Sequence, residues 1–324
     1  MAFHQLLREY INGGVTSWHP FQRFKDATAV CLGYSYLGGL QSGERLELEL
    51  PSYTGGHSEI VALRNHLLPI ADDIQSVILH GSLGDGQLTG YSDVDALVIL
   101  RNEVFLDPVR LNKVARRLSV ARKFMCRFDP LQHHGWFVLS AQDLKSYPEA
   151  ILPLESLSNA SVLLGETQLR VFITPTDRTV FDVSARRMVR KLIHQLEDGW
   201  RPANAYQLKS LMSEFMMLPV LFLQALSGKG EKKSDSFKKA ENYYPAEIWT
   251  IMNALSDARR NWKYTPNILS KLVLCNPHRF HHRLRKSWPS AIPHGIKPVI
   301  NEKFYKDLLI FAKETEKLLE TIPG

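Results

Sequence analysis

"LHGSLGDGQLTGYSDVDALVIL", residues 79–100, runs from one apolar segment through a glycine-punctuated loop into a second that opens on two aspartates one residue apart. Alternate residues of a strand share a face, so Asp93 and Asp95 are expected to project together while Val94, Ala96 and Val98 face the other way. Leu97 and Ile99 continue the acid face as apolar, which puts two like charges at one end of a core strand. Adjacent carboxylates repel and raise each other's pKa unless a cation or hydrogen-bond donors compensate. A divalent metal answers that need, and oxygen ligands of this kind suit Mg²⁺ or Mn²⁺. Just upstream, His80-Gly81-Ser82 closes the first apolar run in a tight turn. Small residues there let backbone amides and the Ser82 hydroxyl approach phosphate oxygens as in an anion nest, while Gly84, Gly86 and Gly90 keep the loop compact.

These residues together resemble the signature of the polymerase-β-type nucleotidyltransferase superfamily, a Gly-Ser or Gly-Gly turn followed after a short loop by an Asp-hydrophobic-Asp strand. Here ten residues separate Ser82 from Asp93, and Ser92 precedes the pair as it often does in that family. The glycines fit neither rival phosphate motif, because no Gly-Lys-Ser/Thr follows them and no G-x-G-x-x-G opens a helix. The resemblance implies that Asp93 and Asp95 bind metal ions, that Gly81 and Ser82 hold the β and γ phosphates, and that two metals assist in-line displacement at phosphorus. It also implies a third carboxylate on a following strand, binding the second metal or taking the hydroxyl proton. The stretch "RFDPLQHHGWFVLSAQDL", residues 127–144, carries no acid inside its apolar section. Asp129 is the nearest candidate, although Pro130 suits a loop or strand edge. Asp143 lies past the strand, and His133 or His134 is a possible substitute as base or ligand. Without a third acid, the same fold would serve as a non-catalytic nucleotide-binding module or a toxin–antitoxin component.

Outward from this core, "HSEIVALRNHLLPI" (57–70) and the arginine-bearing segment 108–124 have helical spacing, and "SVILHGS" and "HHGWFVLS" (133–140) read as strands. Alternation of short strands with helices indicates an α/β unit. After Asp182 four long segments all repeat at three to four residues, which is the pattern of a helical bundle. The expected fold is therefore an α/β (α+β) nucleotidyltransferase domain with a short mixed sheet over 57–181, and a helical domain over 182–324. Residues 1–56 form an N-terminal extension without an assigned role, beginning with a short helix at Phe3–Ile11. The apolar run 215–226 contains Pro219 and is too short to span a bilayer, so it is expected to be a core helix.

A second resemblance lies in the helical half. "LSGKGEKKSDSFKKAENYYP" (226–245) has a glycine turn and then Ser236-Phe237-Lys238, similar to a Ser-x-Lys segment that small nucleotidyltransferases and poly(A)-polymerase relatives place near the triphosphate. That likeness implies Lys238 as a triphosphate-binding residue, helped by helix amides. Cys275, His278 and His281 have a spacing that permits zinc, whereas the basic residues around them, with Phe280 and Trp288, suit a polyanion. Arg187 and His194 share a helix face at the Arg-x6-His spacing of some helical RNases that accompany minimal nucleotidyltransferases. Trp200, Trp249 and Trp262 read as core anchors.

Composition excludes a disordered chain: 44% of the 324 residues are hydrophobic and 23% charged, with a formal charge of +7 that favours anionic partners. Three widely spaced cysteines argue against a disulfide framework and suit a reducing compartment. With no secretory pattern in "MAFHQLLREYINGG", a cytoplasmic location and no membrane partner are expected. The expected reaction moves a nucleoside monophosphate, AMP from ATP foremost, to an acceptor hydroxyl with release of pyrophosphate. The two-domain size resembles aminoglycoside and lincosamide nucleotidyltransferases and favours a small hydroxylated acceptor. The positive charge suits an RNA end, as in toxin-type enzymes that modify tRNA. Both acceptors stay open on the sequence.

Overall fold

The computed structural model describes residues 3–13, 20–35, 43–86, 88–149, 151–173, 176–275 and 284–322. At its centre a four-stranded mixed sheet has the order β4-β3-β2-β5, with β2 Ile74–His80, β3 Asp95–Leu100, β4 Phe137–Ser140 and β5 Ser161–Gly165. Strand β2 is antiparallel to both β3 and β5, while β3 and β4 run parallel. That parallel pair needs a crossover, supplied by helix α5, Pro108–Phe128. Pro108 stands at its first position, and the Asp107 carboxylate caps it by accepting from Val109 N.

Period-two alternation buries both faces of the sheet. Val77, Leu79, Ala96, Val98, Leu100 and Val138 pack into a core beneath α5 and helix α3, Ser58–Leu67. Ile78, Leu97, Ile99, Leu139 and Val162 pack on the other side against residues of the 144–157 segment. The described residues of the 1–56 segment, expected as an extension, are built into this domain. Helices α1, Phe3–Gly13, and α2, Pro20–Ser35, place Phe3, Leu7, Ile11, Ala27 and Val30 in the α5 core. Strand β1, Glu44–Glu49, pairs antiparallel with β6, Gln168–Ile173.

The remainder is helical: α6 Arg178–Glu197, α7 Ala205–Phe215, α8 Leu218–Ser227, α9 Lys233–Glu241, α10 Ala246–Arg260, α11 Ile268–Leu274 and α12 Glu302–Glu320. Helix α6 starts four residues before the expected boundary at Asp182, capped by Asp177. The stretch 205–227 is long and apolar enough to cross a membrane by composition. Here Leu208, Leu211, Met212, Phe215, Leu218 and Phe222 are the centre of the bundle core. Trp249 and Trp262 are buried in that core, and Trp200 packs against it. Tyr91 and Leu131 join the same core from the sheet domain, so the two halves share apolar contacts at the edge where β3 begins.

Candidate active site

Strand β2 ends at His80 directly opposite Asp95, the first residue of β3. Gly81 leaves the strand at φ +63°, and a Cβ there would stand 2.8 Å from Asp95 Oδ2. Both the backbone conformation and the close approach of the carboxylate require glycine at this position. Asp93 lies in the lead-in to β3 and not within it, so strand alternation alone does not bring it beside Asp95. The buried side chain of Gln132 fixes that lead-in. Val94 N donates to Gln132 Oε1 at 2.8 Å, and Gln132 Nε2 donates to Val94 O at 2.9 Å and to His134 O at 3.0 Å. One amide thus holds the peptide between the acids and the peptide that carries His134.

As a result, one ligating atom from each of Asp93, Asp95 and His134 lies within 4.8 Å of the others. The carboxylates are half-buried and the imidazole stands at the exposed edge. Two carboxylates suit Mg²⁺ or Mn²⁺, and the imidazole adds a softer donor. Beside them the half-buried Ser82, in the one-turn helix α4, Gly81–Gly84, has no hydrogen-bond partner for its hydroxyl among the described residues.

The helical half supplies cations to the same place. Lys209 of α7 has no exposed surface and donates to Asp129 Oδ2 at 2.7 Å. Burial works to raise the Asp93 pKa, but the Lys209 ammonium, with smaller contributions from His134, the more distant His133 and a backbone hydrogen bond, outweighs this and holds the acid at about 2. Asp95 goes the other way: burial and the Asp93 charge push it up to about 8, against the opposing pull of Lys233, Lys209 and Arg259. Lys233, at the first position of α9, is brought down to about 8 by burial and the nearby Arg259 of α10. Like charges on the acids and like charges on the cations meet across one gap, and each set relieves the other.

The loop from the turn to the acids is fastened to the bundle by Tyr91. Its hydroxyl donates to Lys209 O at 2.7 Å and lies 2.7 Å from Ser213 Oγ. The ring packs edge-on against Trp262 at 5.1 Å and lies 4.9 Å from Lys209 Nζ. A Cβ on Gly90 would collide with the Trp262 carbonyl, so the loop reaches the bundle only with glycine there.

Of the residues expected from sequence, the structure brings together Gly81, Ser82, Asp93 and Asp95. Asp129 is not a third metal-facing carboxylate. It ends α5, its Oδ1 accepts from Leu131 N, and its Oδ2 is taken by Lys209. Asp143 is likewise engaged, accepting from Ser140 N and Oγ and contacting His4 Nε2 at 2.7 Å. His133 turns to the bundle, where its Nε2 lies 3.2 Å from Tyr206 O, so His134 is the histidine beside the acids. Lys238 is exposed, and Ser236 is buried with its hydroxyl donating to Lys232 O. Five residues on from Lys233, at roughly 100° per residue, Lys238 stands about 140° round the helix from the lysine that feels the acid pair. Arg187 and His194 both face solvent, and His194 contacts Asp198. His278 and His281 lie outside the described residues. Arg285, from the basic segment expected at the surface, is buried, and its guanidinium donates to Gln132 O at 2.9 Å and Pro130 O at 3.2 Å.

Residues 63–158 match the family model described as a nucleotidyltransferase domain. This part of the chain is a nucleotidyltransferase domain of the polymerase-β-like superfamily. No curated protein matches the chain. The match holds the turn, the acid pair, Gln132 and His134 of the nucleotidyltransferase domain. Lys209, Lys233 and Arg259 lie beyond it, so the cationic wall comes from a part of the chain that the family model does not cover.

Proposed function

We propose that the chain is a metal-dependent nucleotidyltransferase, moving a nucleoside monophosphate, AMP foremost, from a nucleoside triphosphate to an acceptor hydroxyl with release of pyrophosphate. The observation that carries this reading is the pairing of Asp93 and Asp95 under the Gly81-Ser82 turn, opposite three cations of the helical half. A triphosphate brings the charge that Lys233 and Arg259 lack on their side, and a divalent cation brings what the acids lack on theirs.

Asp93, Asp95 and His134 would hold the metal, Mg²⁺ or Mn²⁺, which when bound neutralises charge on the entering and leaving oxygens. Ser82 Oγ and the amides of the turn would bind the β and γ phosphates, which accounts for a hydroxyl left without a partner among the described residues. Lys233 and Arg259 would neutralise the phosphate tail, and Lys209 would keep Asp93 ionised. Gln132 and Tyr91 would hold the acids and the loop in register.

A non-catalytic nucleotide-binding module is the second reading, favoured by one observation: Asp129, the carboxylate expected as the third acid, is tied to Lys209. Incubation with Mg²⁺ or Mn²⁺ and each labelled triphosphate separates the two. Pyrophosphate release that disappears in Asp93→Ala and Asp95→Ala supports the transferase. Nucleotide binding without any turnover, with a panel of hydroxylated small molecules and total RNA as acceptors, supports the module.

A further inference from the structure

Helix α5 carries seven lysines and arginines and no acid in its 21 residues. Arg110 pairs with Asp73, and Arg122 donates to Asn12 O. The other five, Lys113, Arg116, Arg117, Lys123 and Arg127, form no ion pair among the described residues; Arg117 makes one bond, from Nε to the His66 carbonyl. Val109, Lys113, Arg116, Val120, Lys123 and Arg127 follow one another at spacings of three and four, so they make a single stripe along the outer side of the helix. Like charges at this spacing destabilise a helix on their own account. Arg116 also stands against Arg23, whose pKa is lowered by burial and by that neighbouring guanidinium. A solvated face would gain from interspersed Glu or Asp, and this one has valines.

Beside the stripe lies a groove of about 460 Å³ between α5 and the end of α3, lined by Lys113, Arg116 and Arg117 with Pro69, Ile70 and Val120 among its walls, and by no carboxylate. Cations alternating with apolar surface in a concave channel fit a chain of phosphates whose sugars and bases need somewhere dry to lie. The stripe also has a direction. From Lys113 to Arg127 it covers roughly 21 Å at 1.5 Å per residue. It ends two residues before Asp129, whose carboxylate meets Lys209 beside Asp93.

We infer that the outer face of α5 and its groove bind a single-stranded polynucleotide and lead it to the acid pair. The inference rests on the transferase reading for the strand's role as acceptor, whereas the binding itself stands on the α5 surface alone. RNA and DNA strands share the phosphate chemistry, and the experiment tells them apart.

Fluorescence anisotropy of the full chain with a labelled 12-nucleotide mixed-sequence RNA, and with its DNA counterpart, needs neither metal nor nucleotide. For five phosphate contacts at about 0.7 counterions each, log K should fall with log[salt] at a slope near −3.5. In Lys113→Glu/Arg116→Glu/Lys123→Glu the slope should become shallower by about 2 units, with affinity down at least tenfold. Lys113 and Arg116 are exposed and Lys123 is half-buried, and the reversal removes like-charge repulsion along the helix, so circular dichroism should match the wild type and the melting temperature should not fall. Tighter binding of RNA than DNA identifies RNA as the strand, and the reverse identifies DNA. A slope shallower than about −1, a slope unchanged in the triple variant, or equal binding to anionic phosphatidylserine vesicles overturns the inference. Asp93→Asn/Asp95→Asn should bind the strand as well as wild type. Strand binding without pyrophosphate release in any assay would sink the transferase reading and leave this one standing, whereas turnover with small acceptors and no strand binding would do the opposite.

Discussion

Replacing Lys209 by methionine tests the electrostatic joint between the two halves. Methionine keeps most of the aliphatic stem and removes the ammonium, so packing around Tyr91 is largely retained while Asp129 loses the cation 2.7 Å from its Oδ2. Neither side chain is open to water, with Lys209 at 0% and Asp129 at 7% exposure, and solvent cannot take the ammonium's place. Removing one partner of such a pair typically costs about 3–5 kcal/mol, a large share of the roughly 5–15 kcal/mol that stabilises a domain. The orphaned acid can escape by taking a proton, since burial already pushes the Asp129 pKa up and Lys209 is the main force opposing it. A carboxylate whose folded pKa is raised contributes stability below its unfolded pKa near 3.9 and loses it as pH rises through the folded value. The penalty in Lys209→Met should therefore be near its full size at pH 8 and smaller at pH 5. Adding Asp129→Asn removes the stranded charge, so Lys209→Met/Asp129→Asn should recover about 2 kcal/mol or more at pH 8. Urea denaturation followed by tryptophan fluorescence at both pH values gives the four free energies of the cycle, provided the m-values agree. A cost below about 1 kcal/mol at pH 8, or a double variant no more stable than the single one, would refute the reasoning.

Four further outcomes are expected. With Asp95 pushed up to about 8 and Asp93 held at about 2, the metal-free pair keeps one proton through neutral pH, so Mn²⁺ must displace it. Apparent Mn²⁺ affinity measured by calorimetry should weaken by about tenfold per pH unit below 8 and level off above it, with proton release matching; a flat profile from pH 6 to 8 would contradict the pairing. By the same linkage Asp95 stabilises the metal-free fold at acid pH and loses that contribution as pH rises towards 8, so melting temperature should drop from pH 6 to 9 without Mn²⁺ and much less with it. Ser82→Ala should raise the triphosphate KM about tenfold while leaving the melting temperature within a degree or two, because among the described residues the hydroxyl has no partner to lose. Lys233→Ala should raise the same KM about tenfold or more, whereas Lys238→Ala, on the exposed side of α9, should leave it unchanged.

The turn and the acid pair were legible because each depends on residue types that few other structures need together: a glycine where φ is positive and a carboxylate passes close by, then acids at the mouth of an apolar strand. Strand and helix identities followed from periodicity for the same reason, since burial on both sheet faces writes itself directly into alternation. What sequence did not give is everything that depends on two distant segments meeting. Gln132 looks like an ordinary loop amide until its hydrogen bonds to Val94 are known, and it, more than strand alternation, brings Asp93 beside Asp95. Asp129 is the third carboxylate that the sequence suggests, but its Oδ2 is held by a lysine 80 residues away. That lysine left one trace. Leu208, Leu211, Met212 and Phe215 mark the buried side of α7, and Lys209 falls among them, a charged residue on an apolar face with no acid on its own helix within reach. Such a position asks for a distant carboxylate, because an ammonium without a partner in the core costs several kcal/mol. The lysine-rich 229–239 segment shows the reverse error: with several lysines in succession, which one faces the acids is decided by where α9 starts its first turn. Just before that start Gly230 passes so close to Glu149 and Pro153 of the sheet domain that a Cβ there would collide with them. The candidate site was therefore readable wherever the chemistry constrains neighbours in sequence, and was hidden wherever the fold supplies the counter-charge from the other half of the chain.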